Sequence, residues 1–269
     1  MSDDQRPIIQ AAERLLNAQA AGDPCEPVRD LIGATDIAAA YAVQAHIVAR
    51  WIESGRQPVG RKIGLTSRAV QAQLGVDQPD FGVLLDDMWH REGQPVSLAH
   101  LLQPKIEAEI AFVMAEDVLD PQVDEIAVRA YVDHAVAALE IVDSRVRGWD
   151  ITIADTVADN ASSGSFVIGR TAFTLEEFEP ADVEMSMRIN DVEVSAGNGA
   201  ACLGDPLKAL AWLARTAIEF GSPLRIGDIV LSGALGPMAP ITGGDEVVAE
   251  FTSLGGLSVN FTAEEEARR

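Results

Sequence analysis

Two glutamates one residue apart, Glu107 and Glu109, lie in the run Pro104-Lys105-Ile106-Glu107-Ala108-Glu109-Ile110-Ala111-Phe112. A third, Glu140, stands in Ala138-Leu139-Glu140-Ile141-Val142. Side chains alternate between the faces of a strand, so Glu107 and Glu109 share a face with Ala111 and Val113, while Ile106, Ala108, Ile110 and Phe112 take the other. Glu140, between Leu139 and Ile141, predicts a second strand whose acid could meet the first two. An isolated Glu-x-Glu is more commonly the solvated face of a strand. The third acid shifts that balance, because carboxylates are seldom left in apolar segments without a partner. Convergent carboxylates repel unless a cation joins them, and oxygen-only donors suit Mg²⁺ or Mn²⁺ and offer nothing soft for zinc or copper.

Lysine occurs three times, at Lys62, Lys105 and Lys208. Lys62 lies in Gly60-Arg61-Lys62-Ile63-Gly64-Leu65-Thr66-Ser67, where glycines permit close backbone approach and apolar neighbours could desolvate the amine. Such a lysine can transfer protons near neutral pH or hold an anionic group; the alternative is a surface lysine on a strand edge. Lys105 and Lys208 are read as structural. Asp80, in Gln78-Pro79-Asp80-Phe81-Gly82, falls in a turn by composition and could orient a partner or act as a base. The polar run from Asp155 to Ser165 either lines a site or is an ordinary surface loop.

Other motifs lead nowhere. Gly199 and Gly204 have the spacing of a phosphate loop, but Asp205-Pro206 stands where a lysine and a hydroxyl residue would cradle phosphates. His46, His90, His100 and His134 have no zinc-ligand spacing, and no serine sits in a nucleophile elbow.

The elements that must position these groups begin with helices over residues 8 to 54, the second opening at Asp36 with Thr35 or Asp36 as N-cap. Gly22-Asp23-Pro24 and Pro27 mark the loop between them, and the pair forms a lid or a packing layer. From Val59 the chain changes to short apolar runs punctuated by glycine, proline and aspartate, with one helix expected from Val123 to Ala137. Val183 to Val194 alternates around Asn190-Asp191, a hairpin signal. Asp205-Pro206 opens a helix that ends at Gly221. Asp228 to Gly233 and Glu246 to Phe251 predict two further strands. The expected organisation is a helical region over 1–58, a catalytic domain over 59–262 and a frayed charged tail over 263–269.

At 269 residues and 48% hydrophobic content the chain can bury a sizeable core. A formal net charge of −22 argues against nucleic acid and anionic membranes. Cys25 and Cys202 have neither redox nor metal spacing, Met1 to Pro7 carries no leader pattern, and no apolar run has the length of a membrane span. A cytoplasmic setting is the expectation.

Taken in order, Gly60–Ser67, Asp80–Gly82, Lys105–Phe112, Ala138–Arg145, Asp155–Gly164 and Gly199–Pro206 resemble the 2-oxopent-4-enoate hydratase group of the fumarylacetoacetate hydrolase superfamily. The resemblance spans nearly the whole chain, weakest over the first thirty residues and the tail. It implies an α+β fold, a bent and rolled mixed β-structure with surrounding helices. The implied enzyme is a metal-dependent hydro-lyase of meta-cleavage aromatic degradation, adding water to 2-hydroxypenta-2,4-dienoate to give 4-hydroxy-2-oxopentanoate. Glu107, Glu109 and Glu140 match the family's metal ligands, with Mg²⁺ expected and Mn²⁺ as the alternative. Lys62 and Asp80 are the groups for proton transfer and for orienting water. Asn160, Ser162 and Ser163 match the family's polar site loop and would hold the substrate carboxylate or a water. Related members form homo-oligomers, pentamers and decamers among them, and hydratases of this type can associate with a partner enzyme of the pathway.

Two alternatives accompany that reading. The first is the sister 2-oxo-3-hexenedioate (4-oxalocrotonate) decarboxylase group, which shares the acids and the lysine. Ser232 to Met238 is similar to the hydratase version of the late glycine-rich strand. The second is a metal-holding, non-catalytic subunit of a hydratase–decarboxylase complex, against which the intact Lys62, Asp80 and three glutamates argue. Arg61 and Arg145 are the arginines that could pair with a carboxylate at the far end of a substrate.

Overall fold

The computed structural model describes residues 5–68, 71 and 76–263; the charged tail from Glu264 lies outside them. Two sheets organise the chain. The larger runs in the order β2 (Asp80–Leu85), β1 (Pro58–Gly64), β10 (Ile229–Leu231), β5 (Lys105–Met114), β6 (Val132–Val142), β7 (Ser163–Ile168), β3 (Trp89–Arg91), with β11 (Ala239–Pro240) pairing the start of β5. The smaller runs β4 (Val96–Ser97), β13 (Gly255–Thr262), β12 (Glu246–Phe251), β8 (Glu184–Ile189), β9 (Val192–Asn198). Most neighbours are antiparallel, but β1 pairs β10, β3 pairs β7 and β4 pairs β13 in parallel, so both sheets are mixed. The α+β expectation holds.

The strands β5 and β6 form the spine. Their register sets Glu107 opposite Glu140, Glu109 opposite Ala138 and Ile106 opposite Ile141. Both faces of this pair are covered: Ile106, Ala108, Ile110 and Phe112 are buried on one side, Glu109, Ala111 and Ala138 on the other. The solvated-face reading of Glu-x-Glu therefore fails at Glu109.

Double-sided burial also explains the clearest departure from the sequence reading. The helix expected from Val123 to Ala137 is instead a 3₁₀ turn over Ala127–Tyr131 followed directly by β6. Ala135 to Val142 is buried throughout. A strand covered on both faces loses the alternation that identifies it, and its alanines favour helix locally, so pairing with β5 and β7 decides. Likewise Asp80 is not in a turn but opens β2, and Asp155 to Ser165 is not one loop. It comprises the helix Ile153–Ala158, a tight turn over 160–162 and the start of β7. The late strand is confined to Ile229–Leu231, and Ser232 leaves it with its Oγ donating to Gly233 O.

The hairpin at Asn190-Asp191 forms, both residues adopting positive φ of 50° and 66° as a type I′ turn requires. Asp205 caps Pro206–Glu219 by accepting from Leu207 N at 2.9 Å, and Gly221 follows with φ 72°.

The N-terminal helices Gln5–Ala21 and Ile37–Glu53 are a packing layer. Asp36 caps the second, accepting from Ala39 N at 2.9 Å. Its inner face buries Ala40, Tyr41, Val43, Gln44 and Ile47. Tyr41 stacks on Phe81 of β2 with ring centroids 4.7 Å apart. Gln44 Nε2 donates to the carbonyls of both Phe81 and Val157 at 2.9 Å, tying β2 to the helix Ile153–Ala158.

Gln44→Met strands two buried carbonyls, a loss of about 1–3 kcal/mol. Urea unfolding is expected to show a lower midpoint with an unchanged slope. A midpoint equal to that of the parent protein would remove Gln44 from the bracing of β2.

Candidate active site

The rolled sheet gathers its chemistry on one face. Lys62 pairs with Gly82 of β2 and Leu231 of β10, Leu231 pairs with Ala111 of β5, and Glu107 pairs with Glu140 of β6. Laterally paired residues share a face, so Asp80, Lys62, Glu107, Glu109 and Glu140 all project inward. One carboxylate oxygen from each of the three glutamates lies within 4.8 Å of the others. Glu109 and Glu140 are fully buried, Glu107 partly so.

These acids have too few donors. Glu109 Oε2 accepts from Gly233 N at 2.8 Å, but Glu109 Oε1, both oxygens of Glu140 and Asp80 Oδ1 are buried without a hydrogen bond among the described residues. Lys62 Nζ stands 3.2 Å from Glu140 Oε1, an ion pair without hydrogen-bond alignment, and donates instead to Ala161 O at 3.0 Å. Orphaned buried carboxylate oxygens are costly. Oxygen donors clustered this closely fit a hard divalent cation, which would satisfy several of them at once.

The charges perturb one another. Burial pushes the Glu140 carboxyl up to about 8, and Glu107 adds to the rise while Lys62 opposes it. Burial also raises Glu109, reinforced by Glu140 and Glu107, and raises Asp80. For Lys62 burial alone would favour the neutral amine. The surrounding Glu140, Glu107, Asp80 and Glu109 outweigh it and hold the ammonium charged. The lysine thus differs from the desolvated, near-neutral amine expected from its flanking residues, because its acidic neighbours arrive from other strands.

Two glycines make room. A methyl group on Gly64 would stand 2.2 Å from Asp80 Oδ1 and 3.4 Å from Lys62 Nζ, so the absence of a side chain leaves room for both groups beside the β1–β2 ladder. Gly233, at φ 103°, points its N–H at Glu109 where a Cβ would strike Thr66 Oγ1 at 2.3 Å.

The polar segment after Asp155 reaches the same place by another route. Asn160 spends its carboxamide on β2, with Nδ2 donating to Val83 O at 2.9 Å and Oδ1 accepting from Val83 N at 2.8 Å. Ser163 Oγ donates to Asn160 O at 2.8 Å. Ser162 Oγ shares a hydrogen bond with Thr156 Oγ1 at 3.3 Å, and Thr156 Oγ1 reaches Asp80 Oδ2 at 3.5 Å. Of the three, Ser162 lies nearest the acids. Thr156, Thr66, Gly233 and the Ala161 carbonyl were not singled out individually in the sequence, although each lies inside a segment quoted there: Thr66 in Gly60–Ser67, Thr156 and Ala161 in the polar run, and Gly233 in Ser232–Met238. Arg145 is committed to Asp159, and Arg61 to Gly60 O and Ser222 Oγ.

Residues 57–262 match the fumarylacetoacetate hydrolase C-terminal family. The chain belongs to that family. It is 50% identical over 254 residues to the TodF product hydratase of Pseudomonas putida, covering 94% of this chain and 95% of that one. It is 48% identical to the 2-keto-4-pentenoate hydratase of Burkholderia vietnamiensis, covering 97% of this chain and all of that one. Among solved structures, the 4-oxalocrotonate decarboxylase of Pseudomonas putida G7, complexed with magnesium and adipate, superposes with a TM-score of 0.91 at 33% identity, covering 97% and 98% of the two chains. The rolled sheet is thus the family fold, and the N-terminal helical layer is shared with that decarboxylase. No described helix is long and apolar enough to cross a membrane.

Carboxyls raised on folding bind protons more tightly in the native state, so their contribution to stability is present below the unfolded value and lost as pH rises through the folded one. For Glu140 that window runs from 4.5 to about 8, and Glu109 and Asp80 act in the same direction. Protein stripped of divalent ions by chelator is expected to lose Tm steadily across this range in scanning calorimetry. A flat or rising Tm would contradict the clustered acids.

Proposed function

We propose that the protein is a metal-dependent hydratase that converts 2-hydroxypenta-2,4-dienoate (2-keto-4-pentenoate in its keto form) to 4-hydroxy-2-oxopentanoate in aromatic catabolism. The carrying observation is the buried trio Glu107, Glu109 and Glu140, short of donors and set beside a charged Lys62. This reading agrees with hydratase relatives that match almost the full chain at 46–50% identity. Hydro-lyase is the enzyme class those relatives carry.

Glu107, Glu109 and Glu140 would hold one divalent ion, with Mg²⁺ the first choice for an all-oxygen donor set. When bound, such an ion supplies positive charge for a 2-oxo acid's keto and carboxylate oxygens and for the enolate that forms from it. The chain's own groups move the protons. Lys62, held as an ammonium, is poised to donate first, and its hydrogen bond to the Ala161 carbonyl fixes where Nζ stands. The proton lost from the C2 hydroxyl is balanced by one gained at C5, which yields the conjugated 2-oxo-3-enoate. Water then adds its hydroxyl to C4 and a proton to C3. Asp80, with Oδ1 unpartnered and Oδ2 near Thr156, is placed to orient that water and take its proton. Ser162, beside Thr156, is the polar-loop residue best placed to meet substrate or water. Asn160 and Ser163 serve by shaping the loop.

The second reading is the decarboxylase, favoured by the close superposition on the 4-oxalocrotonate enzyme. Its substrate class carries a second carboxylate, and Arg145 is already paired with Asp159. The lower identity to that neighbour, 33% against 46–50%, also favours the hydratase.

The deciding experiment follows the ultraviolet decay of freshly generated 2-hydroxypenta-2,4-dienoate with Mg²⁺ and with chelator, identifying products by mass. Metal-dependent gain of one water is expected; carbon dioxide release from 2-oxo-3-hexenedioate in its place would transfer the chain to the decarboxylases. Glu107→Gln should weaken Mg²⁺ binding and lower kcat at least about a hundredfold, and normal turnover would cancel the metal assignment. Lys62→Ala should keep the metal and lose about 10²–10⁴ in rate. An unchanged rate would make Lys62 structural.

A further inference from the structure

Asn160, Ala161 and Ser162 have φ of 54°, 51° and 53°, three consecutive non-glycine residues in the left-handed region. Single excursions of this kind are tolerated in turns; a run of three is costly for residues with a Cβ and persists only where surrounding bonds impose it. Those bonds are present. Arg145, 4% exposed, places Nε 2.5 Å from Asp159 Oδ1, Nη2 2.5 Å from Asp159 O and Nη1 2.7 Å from Ser163 O. Its backbone N–H donates to Asp159 Oδ2 at 2.8 Å. One guanidinium therefore grips the residues on both sides of the turn. Asp143 N donates to Ser162 O at 2.8 Å, and the Asn160 carboxamide pins the turn to Val83. At the crest, the Ala161 carbonyl accepts from Lys62 Nζ at 3.0 Å.

We propose that Arg145 and Asp159 are positioning residues that hold this left-handed turn so that the Ala161 carbonyl fixes Lys62 for proton transfer. The inference deepens the hydratase reading and rests on it for its kinetic part alone. In an ordinary right-handed turn the peptide between Ala161 and Ser162 would rotate, and Lys62 would keep its charge partner Glu140 but lose the acceptor that aims it. The pair touches neither the glutamates nor Asp80 in any hydrogen bond or ion pair. Its loss should thus leave metal binding intact.

The test pairs a break with a repair. R145Q/D159N removes both charges of the salt bridge, since breaking only one partner would leave the other buried and unpaired; Asp143, 3.9 Å from Arg145, loses that counter-charge but keeps its bonds from Leu102 N and Gln103 N. Adding A161G supplies a residue that adopts positive φ without a clamp. With thermal unfolding confirming folded protein, R145Q/D159N is expected to lower kcat about tenfold or more with KM changed far less. Mg²⁺ affinity by calorimetry should stay within about twofold of the parent protein, and A161G should restore at least about a third of the lost rate, because glycine pays little for the left-handed conformation.

A readout independent of turnover comes from the scarcity of lysine. With three lysines in the chain, ¹⁵N-lysine labelling gives a sparse ammonium spectrum in which Lys62 is assigned by its absence in K62R. The Lys62 signal should be protected in the parent protein, broadened or lost in R145Q/D159N and recovered with A161G. An unchanged Lys62 signal with unchanged kcat would overturn the proposal, as would a fall in kcat that A161G does not repair. An inactive parent protein would instead overturn the hydratase reading, while the ammonium signal still decides whether the clamp aims Lys62.

Discussion

Glu107 and Glu140 face each other across the ladder of β5 and β6, and every other part of the site answers the repulsion that this register creates. With Glu109 and Asp80 nearby, four acids meet one ammonium inside a layer from which water is largely excluded. In the metal-free state the carboxyls rise toward protonation and the lysine is driven toward charge, both of which reduce the imbalance. A divalent cation would reverse the first of these and weaken the second. Binding of such a cation would therefore be coupled to the protonation of the site. A register slip of one residue in β5 would send both of its glutamates to the opposite face, into the buried positions now filled by Ile106, Ala108 and Ile110, and the site would vanish.

The rest of the molecule holds that face rigid and dry. Helix Ile37–Glu53 reaches through Tyr41 and Gln44 to β2, the strand that carries Asp80, and Gln44 binds the same strand to the helix bearing Thr156. Arg29 adds a bond from the intervening loop, with Nη1 2.9 Å from Asp155 Oδ2, and Asp155 in turn accepts from Thr152 N. The N-terminal region thus acts on the chemistry through bracing, without contributing a side chain to the acids. The larger sheet adds one more donor just beyond the end of β10, where Gly233 lends its N–H to Glu109.

How much of this is written locally varies with how far the determining partner lies. Glu107, Glu109 and Glu140 are legible because a charge inside an apolar run has few innocent explanations, and the caps at Asp36 and Asp205 are legible because a cap is bonded within three residues. Val132–Ala137 misreads as helix because a strand buried on both faces gives up its alternation. Asp80 misreads as a turn because Pro79 and Gly82 carry turn composition, while the β1 partner that makes the segment a strand is more than a dozen residues away. The charge state of Lys62 is invisible for the same reason: its flanking residues argue for a neutral amine, and the acids that overrule them sit on β2, β5 and β6. The left-handed turn is the extreme case. Asn160 tolerates positive φ, but Ala161 gives no local hint of it, and the conformation is imposed by Arg145 and Asp143 from the end of β6.

The superposition on a decarboxylase at a TM-score of 0.91 shows that this scaffold does not by itself choose between adding water and expelling carbon dioxide. Both reactions begin from a 2-oxo acid, and an enolate of it would gain from the same cluster of acids, cation and lysine in the proposed mechanism. The difference must arise at the far end of the substrate, where one reaction needs room for a water above C4 and the other a group that tolerates a departing carboxylate. In this chain the arginine nearest the polar turn is consumed in holding it, and Asp80 has one oxygen without a hydrogen bond among the described residues. In the proposed mechanism the Asp80 oxygen, near Thr156 and Ser162, would take the water, whereas the buried guanidinium of Arg145 already faces two carboxylates, Asp159 and Asp143. On the proposed mechanism, the selectivity of the site would follow from how its positive charge is spent, with Lys62 serving the reacting carbons and Arg145 the backbone that aims it.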